Sequence, residues 1–143
     1  MKIGILGTRG IPNYYGGFEQ FAEYFATYVA NQNHEIFVYN SHKHPYKESN
    51  FKGVQIIHCY DPEYIIGTAG QYIYDLNCIL DARKRNFDII LQFNTLKSFL
   101  GLYHEIGDYF QYFLNEGILF SGRFNHRPNP VVSFQNFIFS IQK

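Results

Sequence analysis

An excess of charge of either sign is missing from this chain: twelve Lys and Arg stand against twelve Asp and Glu in 143 residues. A neutral chain lays no basic field along a nucleic-acid backbone, so nucleic acid is not expected among its partners. Cysteine is scarce as well. Cys59 and Cys78 are the only two and form no CxxC pair, which argues against a disulfide scaffold or a cysteine zinc site and for two buried, reduced thiols in the cytoplasm. No apolar run has the length of a membrane span, and the short Ile3-Gly4-Ile5-Leu6 run after Lys2 is too brief for a signal-peptide core.

The common nucleotide fingerprints are absent too. Gly4-Ile5-Leu6-Gly7-Thr8-Arg9-Gly10 is rich in glycine but is not GxGxxG, and no GK[ST] follows the glycines. The second apolar run ends at Asn40-Ser41, where a dinucleotide enzyme would place a ribose-binding Asp or Glu. A Rossmann oxidoreductase is therefore the least favoured reading.

What the sequence does contain is an alternation of strand and helix signals. Lys2–Leu6, Glu35–Tyr39, Val54–His58 and Asp88–Gln92 read as buried strands. From Phe18, the recurrence of Phe21, Ala22, Phe25 and Val29 predicts a helix with one buried face. After Gly67-Thr68, the residues Ile73, Leu76 and Leu80 predict another, closing at Arg83-Lys84-Arg85, whose charge complements a helix C-terminus. The fold class expected over residues 1–93 is α/β, a Rossmann-like open parallel sheet with helices on both faces. Residues 94–143 are crowded with Phe and Tyr and lose this rhythm. One more helix within Leu100–Phe113 and an extended Val131–Ile141 are the expectations there, with self-association through an exposed apolar surface of the tail.

In an open parallel sheet, ligands bind beyond the carboxyl ends of the strands, and here the loop after the first strand is Gly7–Gly17. Gly16 and Gly17 stand immediately before a helix, where free N–H groups favour an anion and the absence of a side chain lets one approach; the alternative is a turn that needs glycine for its own geometry. Glu19 falls in the same helical turn and would compete with a bound phosphate or turn away from it. Arg9 is the one basic residue of the loop, a partner for a phosphate or carboxylate or simply a surface group. His42-Lys43-His44 has a spacing a metal could use, but no third ligand is evident and its neighbours read as exposed loop, so no metal is expected. Asp61 and Glu63 follow the third strand and could act as acid and base or be solvated. Asp75 reads as a hydrogen-bond acceptor on a helix face rather than a catalytic base. No catalytic residue is identified.

Several of these stretches carry a resemblance. Gly7-Thr8-Arg9-Gly10-Ile11-Pro12, Tyr15-Gly16-Gly17-Phe18-Glu19, Tyr39-Asn40-Ser41-His42, His58-Cys59-Tyr60-Asp61-Pro62-Glu63 and Gly67-Thr68-Ala69-Gly70-Gln71 with Tyr74-Asp75 resemble the start of bacterial group-4 glycosyltransferases of the GT-B type. The resemblance is to the rhamnosyltransferase-like group, whose N-terminal region is also called domain of unknown function 1972. It implies an acceptor-side domain of an enzyme that moves a sugar from a nucleotide-sugar, such as dTDP-rhamnose, to a saccharide or lipid-linked acceptor in surface polysaccharide synthesis. It further implies Gly16, Gly17 and Phe18 at the donor diphosphate, and Arg9, Tyr15, Glu19 and His42 on the acceptor side. No cofactor is implied, and the lack of a DxD motif agrees with chemistry that needs no metal. Location is expected in the cytoplasm, peripheral at the inner face of the membrane. The group's DGxEWKR-type segment and its second, donor-binding domain are not recognisable after Phe93. A truncated or frame-altered tail and an inactive isolated chain are therefore expected, the alternative being a non-catalytic remnant or nucleotide- or anion-binding module.

Overall fold

The computed structural model describes residues 1–93, 109–114 and 118–123. Strand β1 (Lys2–Leu6) leads to helix α1 (Gly17–Ala30) and strand β2 (Glu35–Ser41). A two-residue strand, β3 (Asn50–Phe51), turns into β4 (Val54–Cys59), and a single-turn helix, α2 (Glu63–Ile66), runs into α3 (Thr68–Lys84). Then come β5 (Ile89–Phe93), β6 (Tyr109–Leu114) and β7 (Ile118–Arg123). The strands form one sheet in the order β3-β4-β2-β1-β5-β7-β6. The central β4-β2-β1-β5 ladder is parallel, with Ile3 opposite both Ile36 and Ile89. The β3 edge and the β7-β6 ribbon are antiparallel additions.

Alternation along the central strands explains why both faces need a helix. Ile3, Ile5, Ile36, Val38, Ile89 and Leu91 point to one side and pack against Ala22, Ala26 and Val29 of α1. Leu6, Phe37, Tyr39 and Ile90 point to the other side and pack against Tyr74, Cys78, Ile79 and Ala82 of α3. Strands apolar on both faces are those of a doubly wound α/β sheet, and the expected Rossmann-like class is the one observed. The cysteines are free and buried, as expected, Cys59 at the end of β4 and Cys78 facing it from α3. Among the described residues no helix is long and apolar enough to cross a membrane.

The buried face of α1 keeps Ala22, Val29 and the partly buried Phe25 of the predicted stripe but not Phe21, and that of α3 differs from the one the spacing predicts. On α1 the small residues Ala22 and Ala26 meet the sheet, while Phe18 and Phe21 turn outward to reach the ring of Phe93 at 6.0 and 5.7 Å. On α3 the expected Ile73-Leu76-Leu80 stripe does not form the core contact; Ile73 and Leu80 are exposed. Two contacts set that rotation. A Cβ on Gly70 would lie 2.3 Å from the backbone nitrogen of Glu63, so this helical turn packs directly on the preceding loop. Four residues on, the Tyr74 hydroxyl sits 3.0 Å from the carbonyls of both Thr8 and Tyr39. The β3–β4 hairpin and α2 were not foreseen, and Tyr109–Phe113 is strand where the spacing suggested helix. The extended reading of Val131–Ile141 and the tail's self-association lie outside the described residues.

Gly7 carries the tightest contact. Its φ is +77° and an added Cβ would stand 1.8 Å from the carbonyl oxygen of Phe93, so β1 and β5 can end side by side only without a side chain there. Gly16 and Gly17 have no such need. Gly16 is extended, with φ −170°, and an added Cβ on Gly17 meets nothing within 4 Å. Gly7→Ala is expected to lower unfolding free energy by roughly 3 kcal/mol or more, through strain and a backbone clash. Gly17→Ala should stay within about 1 kcal/mol of the parent. Urea unfolding of the two variants measures both; equal effects would contradict this division.

Candidate functional site

The carboxyl ends of β1, β2 and β4 open on one side of the sheet, and the loops leaving them line a hollow of about 330 Å³. Arg9 comes from the first loop with Tyr15, Ser41 and Lys43 from the second strand's end, and Asp61, Glu63 and Tyr64 from the third. The hollow therefore gathers two cations, two carboxylates, a hydroxyl and two phenol rings.

The first loop is held by side chains rather than by secondary structure. Asn40, fully buried at the end of β2, accepts from the backbone N–H of Ile11 at 3.1 Å and donates to the Ile11 carbonyl at 2.8 Å. Gly10, with φ +124°, lies against that amide; a Cβ there would be 2.4 Å from the Asn40 Cγ. Beside it the buried His44 takes the backbone N–H of Tyr46 and the Asn40 amide on Nδ1, which leaves Nε2–H to donate to the Pro12 carbonyl at 3.1 Å. Burial lowers the His44 pKa below the ordinary 6.5. Its protonation would set a donor on Nδ1 against two donors, so the stability this attachment contributes is complete above pH 6.5 and is lost as pH falls through the lowered value of the folded state.

Glu19 is buried in the first turn of α1, and its Oε1 accepts the backbone N–H of Arg9 at 3.1 Å. It ties the loop to the helix rather than facing the hollow. Asn13 Oδ1 receives the backbone N–H groups of Tyr15 and Gly16, so the Gly16 N–H is already engaged. Among the described residues nothing lies within 4 Å of a Cβ placed on Gly17, and none of them requires either glycine of the pair. Two further polar atoms at this edge, Thr8 Oγ1 and Gln92 Oε1, are buried without a hydrogen-bond partner among the described residues.

Arg9 does not stand alone as a phosphate-seeking cation. Its Nη2 meets Glu63 Oε1 at 2.7 Å, its guanidinium lies 5.6 Å from the centre of the Tyr15 ring, and the same Glu63 oxygen accepts from Gln71 Nε2. Asp61 Oδ1 in turn accepts the backbone N–H of Glu63, so the two acids of that loop are organised rather than solvated. His42 lies beside the hollow, stacked on Tyr60 at 5.1 Å, with its Nδ1 accepting the backbone N–H of Asp61 at 2.9 Å. His42 and His44 are thus committed to different partners, and the described residues bring no three His, Cys, Asp or Glu together as a metal site would need. Of the expected acceptor-side residues, Arg9 and Tyr15 line the hollow, Glu19 supports the loop and His42 supports the wall. Lys43, held 4.1 Å over the Tyr64 ring, Ser41 and Tyr64 were not singled out in their own right. Their one signal in the sequence is their position just past a strand end.

Asp75 on α3 sits behind this wall. Burial first, and then the Asp61 carboxylate, push it up from 3.8 to about 7. Between those values the folded chain keeps a proton that the unfolded chain has released, so stability falls as pH rises through the window and the penalty is constant above it. Asp75→Asn, which keeps the shape and removes the titration, is expected to stabilise the fold by roughly 2–4 kcal/mol at pH 8 and by almost nothing at pH 4. Unfolding midpoints at the two values test this; a gain independent of pH would contradict it.

No curated protein and no solved structure matches this chain. A family model does, over residues 1–130, a stretch that starts at β1 and continues past Phe93 through both strands of the antiparallel ribbon. With so much of its length inside that match, the chain belongs to the family described as Domain of unknown function (DUF1972).

Proposed function

We propose that this chain is the acceptor-side part of a nucleotide-sugar-dependent glycosyltransferase, and that the hollow over β1, β2 and β4 holds the saccharide acceptor. The observation that carries this reading is the hollow's mixed lining. A sugar presents hydroxyls that both donate and accept, on a ring whose C–H faces are apolar. Asp61 and Glu63 offer acceptors, Arg9, Lys43 and Ser41 offer donors, and Tyr15 and Tyr64 offer flat apolar surface. A volume of about 330 Å³ suits one or two sugar rings. The Arg9–Glu63 pair, cross-braced by Gln71, holds donors and acceptors in place before a ligand arrives.

The donor would approach along the start of α1. No described residue lies within 4 Å of a Cβ placed on Gly17, and the unpaired N–H groups that the first turn of a helix leaves would carry partial positive charge to stabilise the diphosphate as the bond from it to the sugar breaks. Dependence on dTDP-rhamnose, a lipid-linked acceptor and a cytoplasmic place of action are parts of the same proposal, supported by the resemblance of the Gly7–Glu19 stretch. A second reading, an anion- or nucleotide-binding module without turnover, is favoured by the same open glycine pair.

Amide chemical shifts distinguish the readings. Rhamnose-containing oligosaccharides are expected to move Arg9, Ser41, Lys43 and Tyr64, and dTDP to move Gly16–Glu19. Arg9→Ala should weaken the saccharide by roughly tenfold and leave dTDP unchanged, and Gly17→Trp the reverse. A response to dTDP alone supports the binding module. Shifts that avoid both regions would end the proposal.

A further inference from the structure

Helix α2 has an unusual composition for its place. It is one turn long, none of its residues is buried, and Tyr64, Ile65 and Ile66 are 59%, 62% and 48% exposed. Ala69, Ile73, Leu76 and Leu80 follow at helical spacing on one face of α3, and Ile73 and Leu80 are exposed. A run of apolar surface this long exceeds the scattered exposure normal for a monomer.

The charges around it are sorted by sign. Between Tyr60 and Lys84 the exposed side chains are aromatic, aliphatic, threonine or basic. None of the four acids of that segment is exposed. Asp61 receives the Glu63 N–H, Glu63 is held by Arg9 and Gln71, Asp81 is held by Tyr39 and Arg85, and Asp75 is half-buried. Cations stand at both ends: Lys43 over the Tyr64 ring at one, exposed Arg83 and Lys84 in the last turn of α3 at the other.

We propose that the α2–α3 ridge is a docking surface for an anionic lipid bilayer. A projecting single-turn helix with two adjacent isoleucines can sink into the fluid headgroup boundary without a preformed groove. Tyr60 and Tyr64 have the amphipathic rings that settle at that level. Lys43, Arg83 and Lys84 would meet anionic headgroups, and between Tyr60 and Lys84 no acid is exposed. Because Tyr64 and Lys43 also line the hollow, docking would bring the hollow's mouth to the bilayer surface. The inference stands on exposure and charge and does not depend on sugar transfer.

The test is co-sedimentation of the full chain with vesicles, since a chain without tryptophan gives no tryptophan emission to follow. The expected result is binding to phosphatidylcholine vesicles containing roughly one-third phosphatidylglycerol, much weaker binding to phosphatidylcholine alone, and weakening by salt. Ile65→Asp with Ile66→Asp should reduce binding by at least roughly tenfold, and Arg83→Glu with Lys84→Glu by a similar factor. These are exposed positions, so circular dichroism and the urea midpoint should match the parent; a second pair, Ile65→Ser with Ile66→Ser, replaces the first if they do not. Absence of binding to anionic vesicles, or binding indifferent to both pairs of changes, overturns the proposal. So does a dimer in sedimentation that the Ile65 and Ile66 changes dissolve while vesicles remain unbound, which would make the ridge an interface between copies.

Discussion

The pair of hydrogen bonds between the Asn40 amide and the backbone of Ile11 is the contact on which the rest of this site depends. A loop of ten residues between β1 and α1 has no ladder of its own, and an unpaired amide inside the protein would cost about 1–3 kcal/mol. Asn40 satisfies both polar groups of one residue at once, and it does so from the rigid end of a central strand. Gly10 has to be bare for that amide to close, and His44 fixes the next turn by taking the Pro12 carbonyl. Glu19 then binds the loop to α1 from the other side. Arg9 and Tyr15 therefore reach the hollow from a backbone that is already fixed.

The glycines divide along the same lines. Gly7, Gly10 and Gly70 are sites where another backbone or side chain occupies the place a Cβ would take, so packing inside the protein accounts for them. Gly16 and Gly17 are different, because their conformation suits any residue, an added Cβ on Gly16 would make only an ordinary contact with Glu19, and one on Gly17 would meet no described residue. Their value, on the reading proposed above, is the approach of something from outside. The unpartnered Thr8 hydroxyl and Gln92 carbonyl lie at the same edge of the sheet, where buried polar atoms are otherwise satisfied.

Helix α3 accepts a compromise for this edge. Turning Tyr74 toward Thr8 and Tyr39 and pressing Gly70 onto the Pro62–Glu63 backbone secures the wall of the hollow, and the helix then exposes Ile73 and Leu80 and half-buries Asp75. Exposed aliphatic surface and a carboxyl forced toward neutrality both oppose stability. Their coincidence on one helix is what a surface shaped by contact with something else would leave.

The sequence by itself determined the four parallel strands at the centre of the sheet, because apolar residues on both parities of a strand can be buried only between two layers, and glycine followed by helical spacing marks where a crossover begins. Lys2–Leu6, Glu35–Tyr39 and Val54–His58 were legible for that reason, and so was the location of ligand chemistry at the loops after them. The rotation of α3 about its axis was not legible, and that of α1 was legible except at Phe21. Phe21 and Ile73 satisfy the spacing of a buried stripe as well as Ala22 and Tyr74 do, and the choice falls to how closely the backbone must approach and where a hydroxyl finds a carbonyl. The partners of Arg9, Glu19 and His42 were hidden for a related reason. Arg9 and Glu63 are 54 positions apart, and only the parallel stacking of β1, β2 and β4 brings them to 2.7 Å. Local pattern is written in short-range periodicity; tertiary structure alone decided which charges met, because a crossover carries the chain across the sheet between one contact and the next.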